Sequence, residues 1–419
     1  MFTIRRAKVD DVATLTKLAK MVHFINLPPD RDIITQKIIH SRNSFLKLIN
    51  AKARPEPEPT PSVISALAAA PPEKAPELAL TGLGSSTIKS DLFIFVLEDS
   101  ETGNCLGTSQ VLAGMGGPGN PNVSFKLEER RFFSESLQTG TSHTVAKMHL
   151  DDSSPTEIGG LILQPSFRGH KMKLGRFLSL IRFHFIGLHR KVFADEILAE
   201  MMAPISPDGD NLLWDYLGRR FVPLSYDEAD RFCQYSREFI TSLLPKDDIY
   251  LSLLPPAARA VVGQVNPETA PARRMLERLG FEYRGFVDPF DGGPHLHAHT
   301  NDIELVKHTE RRTLGPALTA RQAEKASRHG IVSFHQSDGD FFAIDTPFSV
   351  TEAGAIKLPP NASERLHARE GDAIAVTPTD RNGPLPKKQA RRRPASKKTT
   401  KAGTRKAARK TTTKKAAKR

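Results

Sequence analysis

The chain has 419 residues, 39% of them hydrophobic, and a formal net charge of +13, so it can build two or three packed domains. The charge is uneven. Lys387 to Arg419 holds 16 Lys and Arg with no Asp or Glu, leaving 44 basic against 47 acidic residues before it. The body is therefore a faintly acidic globular chain, and any affinity for nucleic acid belongs to the tail. Cys105 and Cys233 are the only cysteines, too few for a disulfide framework or a cysteine-based metal site. The opening "MFTIRRAKVDDVATL" has no apolar secretory core, and no apolar run reaches the roughly 18 residues that span a bilayer. A reduced, cytoplasmic protein is expected.

"FTIRRAK" predicts an opening strand, and Asp10 or Asp11 is placed to cap a helix running to about Val22. A second amphipathic helix is expected over Arg31 to Leu48. Residues 51–90 carry seven prolines and little periodicity, the composition of a flexible insertion. "DLFIFVLEDSETGNCLGTSQVLA" then places two apolar strands around a polar turn, a hairpin signal. Strands are predicted over 143–150 and 157–163, a strongly apolar helix over Leu174 to His189, and a buried strand in "KVFADEILAEM". Helices follow over 226–243, 255–262 and 268–279, and "FEYRGFVD" is a strand. The alternation makes the core α+β with a mixed sheet. The expected organisation is a main unit of 1–50 and 91–310, a small β-rich module over 311–382, and a disordered basic tail over 383–419.

Chemistry concentrates in "EIGGLILQPSFRGHKMKLGRFLSL", residues 157–180. An apolar strand stops at Gln164-Pro165, a glycine-containing basic loop follows, and a helix begins. Free amides at a helix start and the positive end of its dipole suit an anion such as pyrophosphate. Gly169 and Gly175 permit close backbone approach, and Arg168, Lys171, Lys173 and Arg176 add charge. Ordinary surface bases on a solvated loop are the plain alternative.

With "PARRMLERLGFEYRG", this loop resembles the GNAT superfamily of acyltransferases. It has two more residues between Arg168 and Gly175 than the usual run, and Leu276 stands where many such enzymes place a tyrosine acid. "LEDSETG", "LAEM", "LLWDYLGRRF", "FITSLLPKDDIY", "VVGQVNPETAPAR" and "FDGGP" together resemble the arginine N-succinyltransferase family, from about Phe2 to Asp380. The resemblance implies transfer of a succinyl group from succinyl-CoA, a co-substrate, to the α-amine of L-arginine in arginine catabolism, with no tightly bound cofactor. It makes Glu157 the candidate base, with a solvated strand-end glutamate as the alternative. It places the family's proton-donor histidine at Asn266, and Leu161 at its succinyl-CoA contact. Asparagine has no titrating proton, so a slowed enzyme is expected rather than a dead one.

"GGPHLHAHTND" offers His295 and His297 as relocated donors, with His295 and His299 expected on one strand face and His297 opposite. Metal ligation is the lesser alternative there, and solvated histidines the ordinary one. A guanidinium calls for carboxylates such as Asp288, Asp291 and Glu200, and a succinyl carboxylate calls for Arg219, Arg220 or Lys246. Residues 387–419 resemble histone H1-like tails, which bind DNA or RNA phosphates by counterion release without sequence preference. This raises nucleoid association. Two other functions stay open, a CoA-binding sensor or scaffold that has lost turnover and an N-acyltransferase for another amine held at DNA. A homo-oligomer with no membrane contact completes the expectation.

Overall fold

A computed structural model describes residues 2–21, 27–49, 90–206, 211–233, 236–380 and 382–385. The expectations for the proline-rich insertion (apart from Ser90) and for the tail from 387 onward lie outside them. The strands are β1 (Phe2–Arg6), β2 (Leu92–Asp99), β3 (Asn104–Leu112), β4 (Asn122–Ser134), β5 (Thr139–Asp151), β6 (Thr156–Leu163), β7 (Glu196–Glu200) and β8 (Ile249–Tyr250). After them come β9 (Glu282–Val287), β10 (Pro294–His299), β11 (Glu310–Thr313), β12 (Arg328–His335), β13 (Phe341–Val350), β14 (Ile356–Lys357) and β15 (Ala373–Pro378). One sheet runs β11-β15-β12-β13-β1-β2-β3-β6-β7-β10-β9-β4-β5-β8, with β14 on β13. Its strand pairings are antiparallel except β6 with β7.

The helices that matter are α1 (Val12–Lys20), α2 (Arg31–Leu48), α3 (Leu174–Leu188), α4 (Leu212–Tyr216), α5 (Tyr226–Cys233), α6 (Glu238–Leu243), α7 (Pro256–Val261) and α8 (Ala270–Arg278). The strand period of two explains how the central sheet is covered. In β2, Phe93, Phe95 and Leu97 pack into one core with α3, while Leu92, Ile94 and Val96 pack into another with Leu15, Ile34 and Ile38 of α1 and α2. An uninterrupted apolar run is what a strand buried on both faces requires. Phe185 of α3 stands 4.8 Å from Phe93 and 5.1 Å from Phe95 between ring centres, locking helix to sheet.

The carboxy-terminal strands have their own core around Val332, Ile344, Phe348 and Val376, yet they join the main sheet edge to edge through β13 and β1. His184 of α3 ties this part down: its Nδ1 lies 2.6 Å from the Thr377 hydroxyl and its Nε2 2.7 Å from that of Ser333. Two sequence expectations change. Asp11 precedes α1 but makes no side-chain cap, because its carboxylate accepts from both terminal nitrogens of Arg5 at 2.8 Å. The helix expected over 226–243 is two helices, α5 and α6.

Candidate active site

The site begins with a flaw in strand pairing. β6 and β7 pair only at Thr156–Ile197 and Glu157–Leu198. Across β3, Thr108 faces Ile162 while Gln110 faces Gly159, so β6 holds one extra residue. Gly160, with φ +56, sits in that bulge, where a glycine adopts left-handed backbone at no steric cost. A bulge bends its strand and re-aims the residues beyond it. Past Glu157 the two strands therefore part, and the edge of β6 faces a cleft of about 1000 Å³. Leu161 and Leu163 of β6 line it with Met202 just beyond β7, the loop from Arg168, and Ala272 and Met275 of α8.

The loop is shaped for an anion. A short turn at Pro165–Phe167 leads to Gly169 at φ +75 and Lys173 at φ 51, and α3 starts at once. Leu174 and Gly175, its first residues, line the cleft with Arg168, Lys171, Lys173 and Arg176. Arg168 reaches across to Glu268 at 3.2 Å. Lys171, Lys173 and Arg176 form no ion pair among the described residues, so their charge is available to a bound phosphate. Gly169 is needed for its backbone, since a Cβ there would meet nothing within 4 Å.

Asn266 opens the turn into α8. Its amide donates to Met202 O at 2.8 Å, and its side-chain oxygen accepts from the Glu268 amide at 3.0 Å. The Thr269 amide in turn donates to Asn266 O at 2.9 Å. The backbone amide of Asn266 thus ties the far wall of the cleft to the chain beyond β7, while its side chain caps the turn into α8. Leu276 is 3% exposed and belongs to the main core, so it presents no polar group to the cleft.

Towards the other end of β6 lies a buried charged cluster. Glu157 is 3% exposed and acts electrostatically on Lys37 and Arg237, which excludes the solvated strand-end alternative. Burial pulls the Lys37 ammonium down to about 8, opposed by Glu157 and Asp230. Burial also pushes the carboxyls of Glu200, Asp288 and Asp291 upward, and Asp288 adds to the rise at Asp291. Glu200, Asp288 and His295 bring one ligand atom each within 4.8 Å of one another, an arrangement able to hold a cation.

Several expected ligands have other work. Asp288 accepts from the Phe290 and Asp291 amides at 2.7 and 3.1 Å, closing its own turn. Asp291 accepts from the Ala203 and Gly293 amides at 2.8 and 2.6 Å, pinning that turn to the chain beyond β7. Arg219, Arg220 and Lys246 are exposed and absent from the walls of the cleft. His295, His297 and His299 share one face of β10, not opposite faces, because their spacing equals the strand period; Leu296 and Ala298 face the core. Neither His295 nor His297 lines the cleft, and burial holds both near 4, so neither is an imidazolium acid at neutral pH.

Sequence reasoning passed over Lys37, Asn122 and Arg237. Lys37 had a signal: it interrupts the apolar stripe of α2, between Ile34 and Ile38 on one side and Ser41 and Phe45 on the other. Asn122 and Arg237 sit at element edges with no periodic signature.

A mixed sheet whose two parallel strands part beside a basic loop and a helix start is the architecture of a GNAT-type acyltransferase. A family model described as arginine N-succinyltransferase beta subunit matches residues 81–305. Arginine N-succinyltransferase of Yersinia enterocolitica (serotype O:8, biotype 1B) is 35% identical over 288 residues, 66% of this chain and 82% of its own. That of Yersinia pestis (strain Pestoides F) is 37% identical over 223 residues, 53% of this chain; the match spans 63% of the relative's length. The structure of arginine/ornithine succinyltransferase subunit AI from Pseudomonas aeruginosa has the same fold, with a TM-score of 0.68 over 90% of this chain and 98% of that one at 24% identity. The chain belongs to the arginine N-succinyltransferase family.

Proposed function

We propose that the chain transfers the succinyl group of succinyl-CoA to the α-amine of L-arginine. The observation that carries this is the split between β6 and β7, which has a basic loop at one end of β6 and buried Glu157 at the other. The loop and the α3 start hold the pyrophosphate of coenzyme A. The acyl group runs along the free edge of β6, whose amides near Leu161 face the developing oxyanion. The amine nitrogen attacks the thioester carbonyl, the C–S bond breaks, and an amide forms. Glu157 takes the proton the ammonium must lose. Coenzyme A leaves as a thiolate with a pKa near that of cysteine, about 8.5, which makes turnover tolerable without a histidine at Asn266.

Mixing the full-length protein with succinyl-CoA and amines while following free thiol tests this. Thiol release with arginine is expected; none above background with arginine, ornithine or any basic amine overturns it. Self-association and salt-sensitive retention on DNA through 387–419 belong to the same proposal. Light scattering tests the first. Deleting 387–419 tests the second, and should abolish DNA retention while leaving turnover intact. Among the described residues, no helix is long and apolar enough to cross a membrane.

A further inference from the structure

A second cavity, of about 290 Å³, lies under the loop after β3. Leu112, the last residue of β3, lines it and pairs with Glu157, which sets the cavity beside the candidate base. Its walls come from the Gly114–Pro121 stretch, and Arg237 is the charged residue among the described ones that line it. Gly116 has φ +71, and a Cβ there would stand 2.5 Å from the Asn122 amide. The loop must pass that close to shape the pocket.

The state of Arg237 points to a ligand. Its Nη1 donates to Asn122 Oδ1 at 3.1 Å and lies 3.8 Å from Met115 Sδ. It forms no ion pair within 4 Å among the described residues, although Glu200, Glu157 and Asp288 are near enough to raise its pKa. Asn122 is itself oriented, donating to Glu200 Oε1 at 3.4 Å. A guanidinium offers five N–H donors in a rigid fork that matches a carboxylate. Here the fork is held from behind, with donors to spare, at the wall of an open pocket.

We propose that Arg237 binds a carboxylate of one of the two reacting molecules in this pocket, with Asn122 as its positioning residue. The proposal deepens the succinyl-transfer function and rests on it. Both molecules carry such a group, the succinyl chain and the amino-acid acceptor.

The experiment compares the wild-type protein, Arg237→Gln and Arg237→Lys, titrating each by calorimetry with succinyl-CoA, acetyl-CoA, arginine and agmatine. Each pair differs in its carboxylate. Wild-type protein should prefer the carboxylate-bearing member of one pair. Arg237→Gln should erase that preference, with a loss of about 10- to 100-fold, and Arg237→Lys should restore part of it. Loss confined to the CoA pair assigns the succinyl carboxylate; loss confined to the amine pair assigns that of the acceptor. Unchanged affinity for acetyl-CoA shows that the variant is folded. A wild-type protein indifferent to both carboxylates, or a preference that survives Arg237→Gln, overturns the proposal. Because binding is read without turnover, an inactive protein that still discriminates would sink the function and spare the site.

Discussion

The two ends of β6 are built from opposite materials. Its carboxy-terminal end feeds an exposed basic loop whose charges stand in solvent. Its amino-terminal end sits among buried charges: Lys37 and Glu157 are 7% and 3% exposed, and Glu157 acts on both Lys37 and Arg237. Solvated charges can gather a large, mobile polyanion at little desolvation cost. Buried charges are costly unless paired, so they are suited to fixing the protonation and position of a small reactant. Under the proposed function, the same strand would grip a carrier at one end and perform acid–base work at the other.

That contrast can be broken by mutation. Glu157→Gln keeps the shape but removes the proposed base, and kcat is expected to fall by about 10²- to 10⁴-fold with the KM for succinyl-CoA little changed. An equal rise in that KM would place Glu157 in binding instead. Reversing charge at the other end, with Lys173→Glu and Arg176→Glu together, should raise the KM for succinyl-CoA about 10- to 100-fold. The KM for the acceptor should not move. Asn266→His returns a titrating group to the α8 turn and is expected to raise kcat by about 10²-fold, the low end of acid catalysis. No change would show that the position serves only the turn.

A stability measurement probes the buried side of the molecule more gently. Burial pulls His184 down to about 3, whereas an unfolded histidine titrates near 6.5. Between those values the unfolded chain binds the extra proton, so stability falls as pH drops from about 6.5 to about 3. His189, His295 and His335 act in the same direction. Denaturant melts of His184→Gln across this range should give a shallower acid limb, by an amount on the order of 1–3 kcal/mol at the acid end. An unchanged slope would mean that His184 does not stay neutral in the fold.

The sequence made the loop end of β6 legible and named several residues of its buried end, but not their meeting. A strand stopping at Gln164-Pro165, the glycine and bases after it, and the apolar helix from Leu174 are local signals, and the structure has strand, loop and helix in that order, with the loop lining a cleft. α2 matches its expected span, and the β2–β3 hairpin falls where its apolar runs and turn put it. The buried cluster joins α2, β6, β7, the start of α6 and the β9–β10 turn, parts far apart along the chain, and no local pattern records such a meeting. The charges on Asp288 and Asp291 looked like substrate ligands because sequence shows the carboxylate but not the amides it caps. Arg237 was invisible for the complementary reason: its guanidinium makes no ion pair among the described residues and stands beside a cavity, which only the packing reveals.

The central claim is that both ends of β6 serve a single transfer. Mass analysis of the product from full-length protein, succinyl-CoA and L-arginine tests it most directly. The account predicts arginine heavier by one succinyl group on its α-nitrogen, formed in step with free coenzyme A and lost in Glu157→Gln. Coenzyme A release without a succinylated amine, or product formed undiminished by Glu157→Gln, would contradict it.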